Sequence, residues 1–99
     1  MIEKLTIDDF KSRLGETFTI HLDSGEAYGL VLESVKDLGE AALPDGRRPF
    51  SLELTNPRKD AYLPQQIYLL EHPQLGGLEL FIVPLGPVQH AMRYEVVFG

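Results

Sequence analysis

Between Leu63 and Phe98 the chain repeats a short alternating pattern that a helix cannot use. Residues 66–72, 78–83 and 92–98 are strand-length runs rich in Ile, Val, Leu, Tyr and Phe, and they are separated by marked connections. His72-Pro73 to Gly76-Gly77 supplies a tight turn, and Pro84 is predicted to end the middle run, with 85–91 as a loop. In the first run Tyr68, Leu70 and His72 share one face, and Ile67, Leu69 and Glu71 the other. In the second, Leu78, Leu80 and Ile82 oppose Phe81 and Val83; in the third, Tyr94, Val96 and Phe98 point inward. Short connections between such runs specify an antiparallel β fold.

The same period of two governs the upstream half. In 16–22, Phe18, Ile20 and Leu22 alternate with Thr17, Thr19 and His21, and Asp23-Ser24-Gly25 follows as a hairpin turn. The return strand, 26–35, carries Leu30 and Leu32 on one face, and its phase slips near Glu33-Ser34, which predicts a bulge. A polar stretch, 37–49, holds the turn signal Pro44-Asp45-Gly46, and 50–55 then alternates Phe50, Leu52 and Leu54 with polar residues. A helix is predicted over 6–14: Thr6 suits the N-cap, Asp9 completes a capping-box variant, and Gly15 stops it. Ile7, Phe10 and Leu14 share its apolar face, which is placed over a sheet edge or one end of a barrel. The fold expected is mainly β: a single domain over 1–99, a small antiparallel β-barrel or rolled sheet of about six strands, with a short N-terminal α-helix. An open two-sheet sandwich is the alternative.

Charge narrows the partners. The net charge is −6, and the nine Lys and Arg are scattered. Such a surface repels phosphate backbones and anionic lipids, so neither nucleic acid nor membrane is an expected partner. There are no cysteines, which removes disulfides, thiolate metal sites and Cys nucleophiles. The first residues lack the basic and apolar regions of a signal peptide, and no apolar run reaches the ~20 residues of a membrane span. A cytoplasmic location is the expectation.

The chemistry-bearing residues do not form a motif. His21, His72 and His90 share no metal-binding spacing, so no metal is expected; His72, at a strand end before a proline, is placed to bond loop backbone and fix the turn. The serines lack a nucleophile elbow, and the glycines form no phosphate loop. Glu53, Glu71, Glu79 and Glu95 read as a solvated face with cross-strand partners such as Arg93 or Arg48. No cofactor and no catalytic residue is expected, and the chain is read as a non-enzyme.

What remains is surface. The strands carry more apolar groups than one core face uses; they either fill a second small core under the helix or the long loops, or form a surface for a protein partner or self-association. Tyr68, Leu69, Phe81 and Val83 are the candidate partner-binding residues. The competing reading is a small-molecule-binding barrel whose mouth is lined by Tyr62, His72 and His90, with Arg47 or Arg48 holding an anionic ligand.

Several segments together resemble a known family. They are Arg-Arg-Pro-Phe-Ser-Leu at 47–52, Leu-Pro-Gln-Gln-Ile-Tyr-Leu-Leu-Glu-His-Pro-Gln-Leu-Gly at 63–76, and Leu-Phe-Ile-Val-Pro-Leu-Gly with Met-Arg-Tyr-Glu-Val-Val-Phe within 80–98. With Leu-Thr-Ile-Asp-Asp-Phe and Gly-Glu-Thr-Phe near the start, the chain resembles DUF6916, a family of small bacterial domains of unknown function. The resemblance implies a stand-alone bacterial domain, no assigned catalytic residues, and an assembly role beside phage-tail-like or fibre structures. Leu69 departs from the polar residue expected there, adding an apolar group to the outer face.

Overall fold

A computed structural model of the chain describes residues 5–39, 49–58, 63–88 and 91–98. A short helix, α1 (Ile7–Lys11), precedes six strands: β1 (Thr17–His21), β2 (Ala27–Asp37), β3 (Phe50–Asn56), β4 (Gln66–His72), β5 (Gly76–Val88) and β6 (Ala91–Phe98). They close into an antiparallel barrel in the order β1-β2-β3-β6-β5-β4. The barrel is two three-stranded meanders joined edge to edge. The β3–β6 joint is long, from Phe50↔Phe98 to Asn56↔Met92. The β1–β4 joint is short, with Thr19↔Glu71 and Ile20↔Leu70 alone.

Alternation sets which side chains fill the barrel. Phe18, Leu30, Leu54, Leu70, Ile82 and Tyr94 are all essentially inaccessible and come from every strand. Except at Leu54, whose neighbour Thr55 is also buried, each is flanked in sequence by less buried residues, as strand alternation requires. The helix plugs one end. Phe10 sits there against Phe18, Phe50 and Phe98 at ring distances of 6.2, 5.8 and 5.3 Å, and Phe50 stacks on Phe98 at 4.6 Å. Asp9 fixes the start of the helix by accepting the Thr6 N–H at 2.8 Å.

Tyrosines close the opposite end. The Tyr28 and Tyr94 hydroxyls are 2.7 Å apart, and Leu63 N–H donates to the Tyr94 oxygen at 2.9 Å. The Tyr68 hydroxyl donates to the Pro64 carbonyl at 2.7 Å. Asn56 reaches across to the Gly29 carbonyl at 2.6 Å and accepts the Arg58 N–H at 2.9 Å. These bonds hold both ends of the β3–β4 connection against the barrel, where buried backbone groups need partners.

Several expectations are met in detail. The slip predicted near Glu33-Ser34 is a register shift between Leu32 and Ser34. The Asp23-Ser24-Gly25 turn is present, with Gly25 at φ 91°, a left-handed conformation that a side chain would strain. Others are corrected. The helix ends at Lys11 rather than 14, and the turn after it swings Leu14 outward to half exposure instead of onto the face of Phe10. Pro84 does not end the fifth strand, and residues 85–88, expected in a loop, belong to it, while Ala91 opens the sixth. β5 runs to Val88 through a register shift between Pro84 and Gly86, and Val88 still pairs with Ala91. A bulge tolerates a proline's missing N–H, and Gly86 at φ 103° supplies the bend.

Candidate functional site

The outer face of β4 and β5 is where apolar side chains meet solvent. Ile67 and Phe81 lie directly opposite each other, and Leu69 faces Glu79 two residues along. Their exposures are 63% for Ile67, 52% for Leu69 and 48% for Phe81. Val83 is half-buried opposite Glu95, and Val97, two residues beyond Glu95, is 57% exposed on β6. The strands force this arrangement: once Tyr68, Leu70, Leu80 and Ile82 turn inward, their neighbours must face out. Glu71, Glu79 and Glu95 border the apolar row. No Lys or Arg occurs from residue 66 to residue 88.

Tyr68 does not belong to this face. It points into the barrel with Leu70 and its hydroxyl is held by Pro64, so it is not part of the outward apolar row to which Leu69 belongs. Period-two geometry puts the two residues on opposite faces of β4. Ile67, not among the candidate residues expected from the sequence, takes that place opposite Phe81. Its signal was available: it alternates with Tyr68 on a strand whose other face was already apolar. Burial, and after it the neighbouring Tyr94 phenol, raises the Tyr68 pKa above the ordinary tyrosine value.

Beside the apolar row lies the β1–β4 seam. Past Ile20, β1 bends into its hairpin, where Leu22 N–H donates to the Glu26 carbonyl at 2.8 Å. The β1–β4 pairing stops at Ile20 and Leu70, and a groove of about 350 Å³ lies beside it. His21, Leu22 and Asp23 form one wall, Ile67 and Leu69 the other, and Tyr68 lies on the floor. Two histidine–glutamate pairs staple the joint. His21 Nε2 is 2.8 Å from Glu71 Oε1, and His72 Nε2 is 2.6 Å from Glu16 Oε1.

His72 is a structural residue in this geometry. Its Nδ1 accepts N–H bonds from Gln74 and Leu75 at 3.1 and 3.2 Å, so the ring proton sits on Nε2 and is donated to Glu16. The buried ring also packs on Phe18 at 4.7 Å. Of the two roles expected for His72, Nδ1 takes the one on the turn backbone; Nε2 is taken by Glu16, which leaves neither nitrogen for a ligand. Arg47, Arg48, Tyr62 and His90, the other residues of that mouth, lie outside the described residues. Arg93 is 4.0 Å from Glu53 across the β3–β6 joint. Among the described residues no three His, Asp or Glu side chains converge to hold a metal ion, and no helix is long and apolar enough to cross a membrane.

The family model described as Domain of unknown function (DUF6916) matches residues 5–98, which spans helix, barrel and seam together. The chain belongs to the DUF6916 family. Its defining sequence is therefore the sequence of the whole barrel, and the apolar row and the groove lie within the matched region. No curated protein and no solved structure matches this chain.

Proposed function

We propose that this DUF6916 domain is a non-catalytic protein-interaction or assembly module, and that its contact surface is the outer face of β4 and β5. The observation that carries the reading is the outward row of Ile67, Leu69 and Phe81, continued by Val97 on β6 and bordered by acids. Contiguous apolar groups on the outside of a filled barrel are a cost in water, and they are recovered when a partner covers them. The absence of basic residues from 66 to 88 gives the surface one sign of charge, which selects partners carrying the other. A bacterial cytoplasmic setting, beside a phage-tail-like or fibre structure, is part of the same proposal and rests on the family resemblance alone, not on the face itself. The ligand-binding reading draws no support from His72, whose ring is buried and fully bonded.

Leu69→Glu and Phe81→Glu test the proposal. Both positions are solvent-exposed, so each variant should melt within a few degrees of the parent. Tagged parent protein purified from its host should bring down a stoichiometric partner that both variants lose. Equal recovery of that partner by folded variants would place the contact elsewhere.

A further inference from the structure

Building on the interaction reading above, we propose that the β1–β4 seam receives an extended, basic segment of the partner as an added β-strand along residues 66–69.

The backbone of β4 carries the argument. Toward β5 it is paired at every position from Gln66↔Ile82 to His72↔Gly76. Toward β1 it is paired only at Leu70 and Glu71. Residues 66–69 therefore present an edge that no strand among the described residues covers. Alternate N–H and C=O groups along that edge face the groove, as they do on any unpaired strand edge. Four extended residues span ~13 Å, the length of a short peptide strand. The groove of about 350 Å³ lies along this edge: Gln66, Ile67, Tyr68 and Leu69 line it together with His21, Leu22 and Asp23 of the β1 hairpin. Main-chain pairing supplies the affinity in such additions, and neighbouring side chains set the sequence.

The neighbours define the occupant. Outward side chains of an added strand lie beside Ile67 and Leu69, which favours apolar residues there. Asp23 and Glu71 line the same groove, and Glu79 faces Leu69 from β5. His21, the groove's own imidazole, is engaged by Glu71. A segment alternating apolar residues with Lys or Arg matches this pattern. A second copy of the domain does not: its matching edge would bring Glu71 and Glu79 against the same acids and no Lys or Arg of 66–88 to meet them.

The test uses the full domain, labelled with ¹⁵N, and an end-capped synthetic peptide alternating Lys and Val. Amide shifts should move at 21–23 and 66–69, and added salt should weaken binding. A peptide with the same side chains but alternate backbone nitrogens methylated should bind at least about tenfold more weakly, because it loses strand hydrogen bonds. Asp23→Lys, at an exposed turn, should weaken the parent peptide several-fold. Equal binding by the methylated peptide would overturn strand addition while leaving the interaction face intact. Shifts confined to Phe81, Val83 and Val97 would do the same, and no shift at all would remove the strand proposal. Seam shifts that grow with protein concentration in the absence of peptide would mean that a second copy fills the groove, which also overturns it.

Discussion

Tyr94→Phe is the most informative single perturbation of the barrel. Tyr94 is fully buried, and its hydroxyl does two jobs: it accepts the Leu63 N–H at 2.9 Å and bonds the Tyr28 hydroxyl at 2.7 Å. Leu63 is itself buried, so deleting the oxygen leaves its N–H without an acceptor. An orphaned buried donor costs ~1–3 kcal/mol, and the lost tyrosine–tyrosine bond adds ~0.5–1.5 kcal/mol. The sum is about 2–4 kcal/mol, which lowers Tm by on the order of 10–20 °C in a domain of this size. Tyr68→Phe is the internal control. It also removes one tyrosine hydroxyl, but the acceptor it abandons is the carbonyl of exposed Pro64, which water can reach. Its cost should be about 1 kcal/mol or less. Urea unfolding of both variants, read as midpoints at constant slope, measures the two costs. If Tyr94→Phe costs no more than Tyr68→Phe, the Tyr94 hydroxyl does not tie the β3–β4 connection to the barrel.

The same tyrosine cluster predicts behaviour in alkali. The Tyr68 pKa is raised in the folded protein, by burial first and then by Tyr94. The unfolded chain ionises at about pH 10, before the folded one does, so stability is complete below that pH and falls as pH rises through the folded value. Tyr68→Phe should flatten this fall in the urea midpoint, and an unchanged slope would contradict it. His72→Ala should cost about 2–4 kcal/mol, because it strips the Gln74 and Leu75 N–H groups of their acceptor and opens a hole beside Phe18; calorimetry reads this directly. Phe10→Ala should cost about 3–5 kcal/mol in the same assay, since it removes the ring on which Phe18, Phe50 and Phe98 converge.

Much of this fold was legible because strands announce themselves locally. Phe18, Ile20, Leu30, Leu32, Leu52 and Leu54 were placed inward by alternation alone, and the slip at Glu33-Ser34 was visible as a change of phase. The barrel's two joints were not legible. β3–β6 and β1–β4 bring together residues far apart in sequence, and nothing local says that Thr19 meets Glu71 while Thr55 meets Arg93. Pro84 misled for a definite reason: proline ends regular strands, but a bulge beside Gly86 spares the missing hydrogen bond. The helix was overextended because Leu14 fits helical spacing in sequence while the turn after Lys11 breaks it in space. At the candidate site, Leu69 and Phe81 were identified by their excess over the core's needs. Tyr68 is not legible as core or surface in the sequence, because an apolar ring with one polar atom suits either; its burial and its bond to the Pro64 carbonyl put it inside.

Position-resolved crosslinking tests the central claim most directly. A photoreactive amino acid is placed at Phe81 on the apolar face and, as a control, at exposed Lys36 on β2, and the protein is illuminated in its own host. An interaction module that works through β4 and β5 gives a discrete covalent adduct to one partner protein from position 81 and none from position 36. Equal labelling from both positions, or no adduct from position 81, would contradict the account.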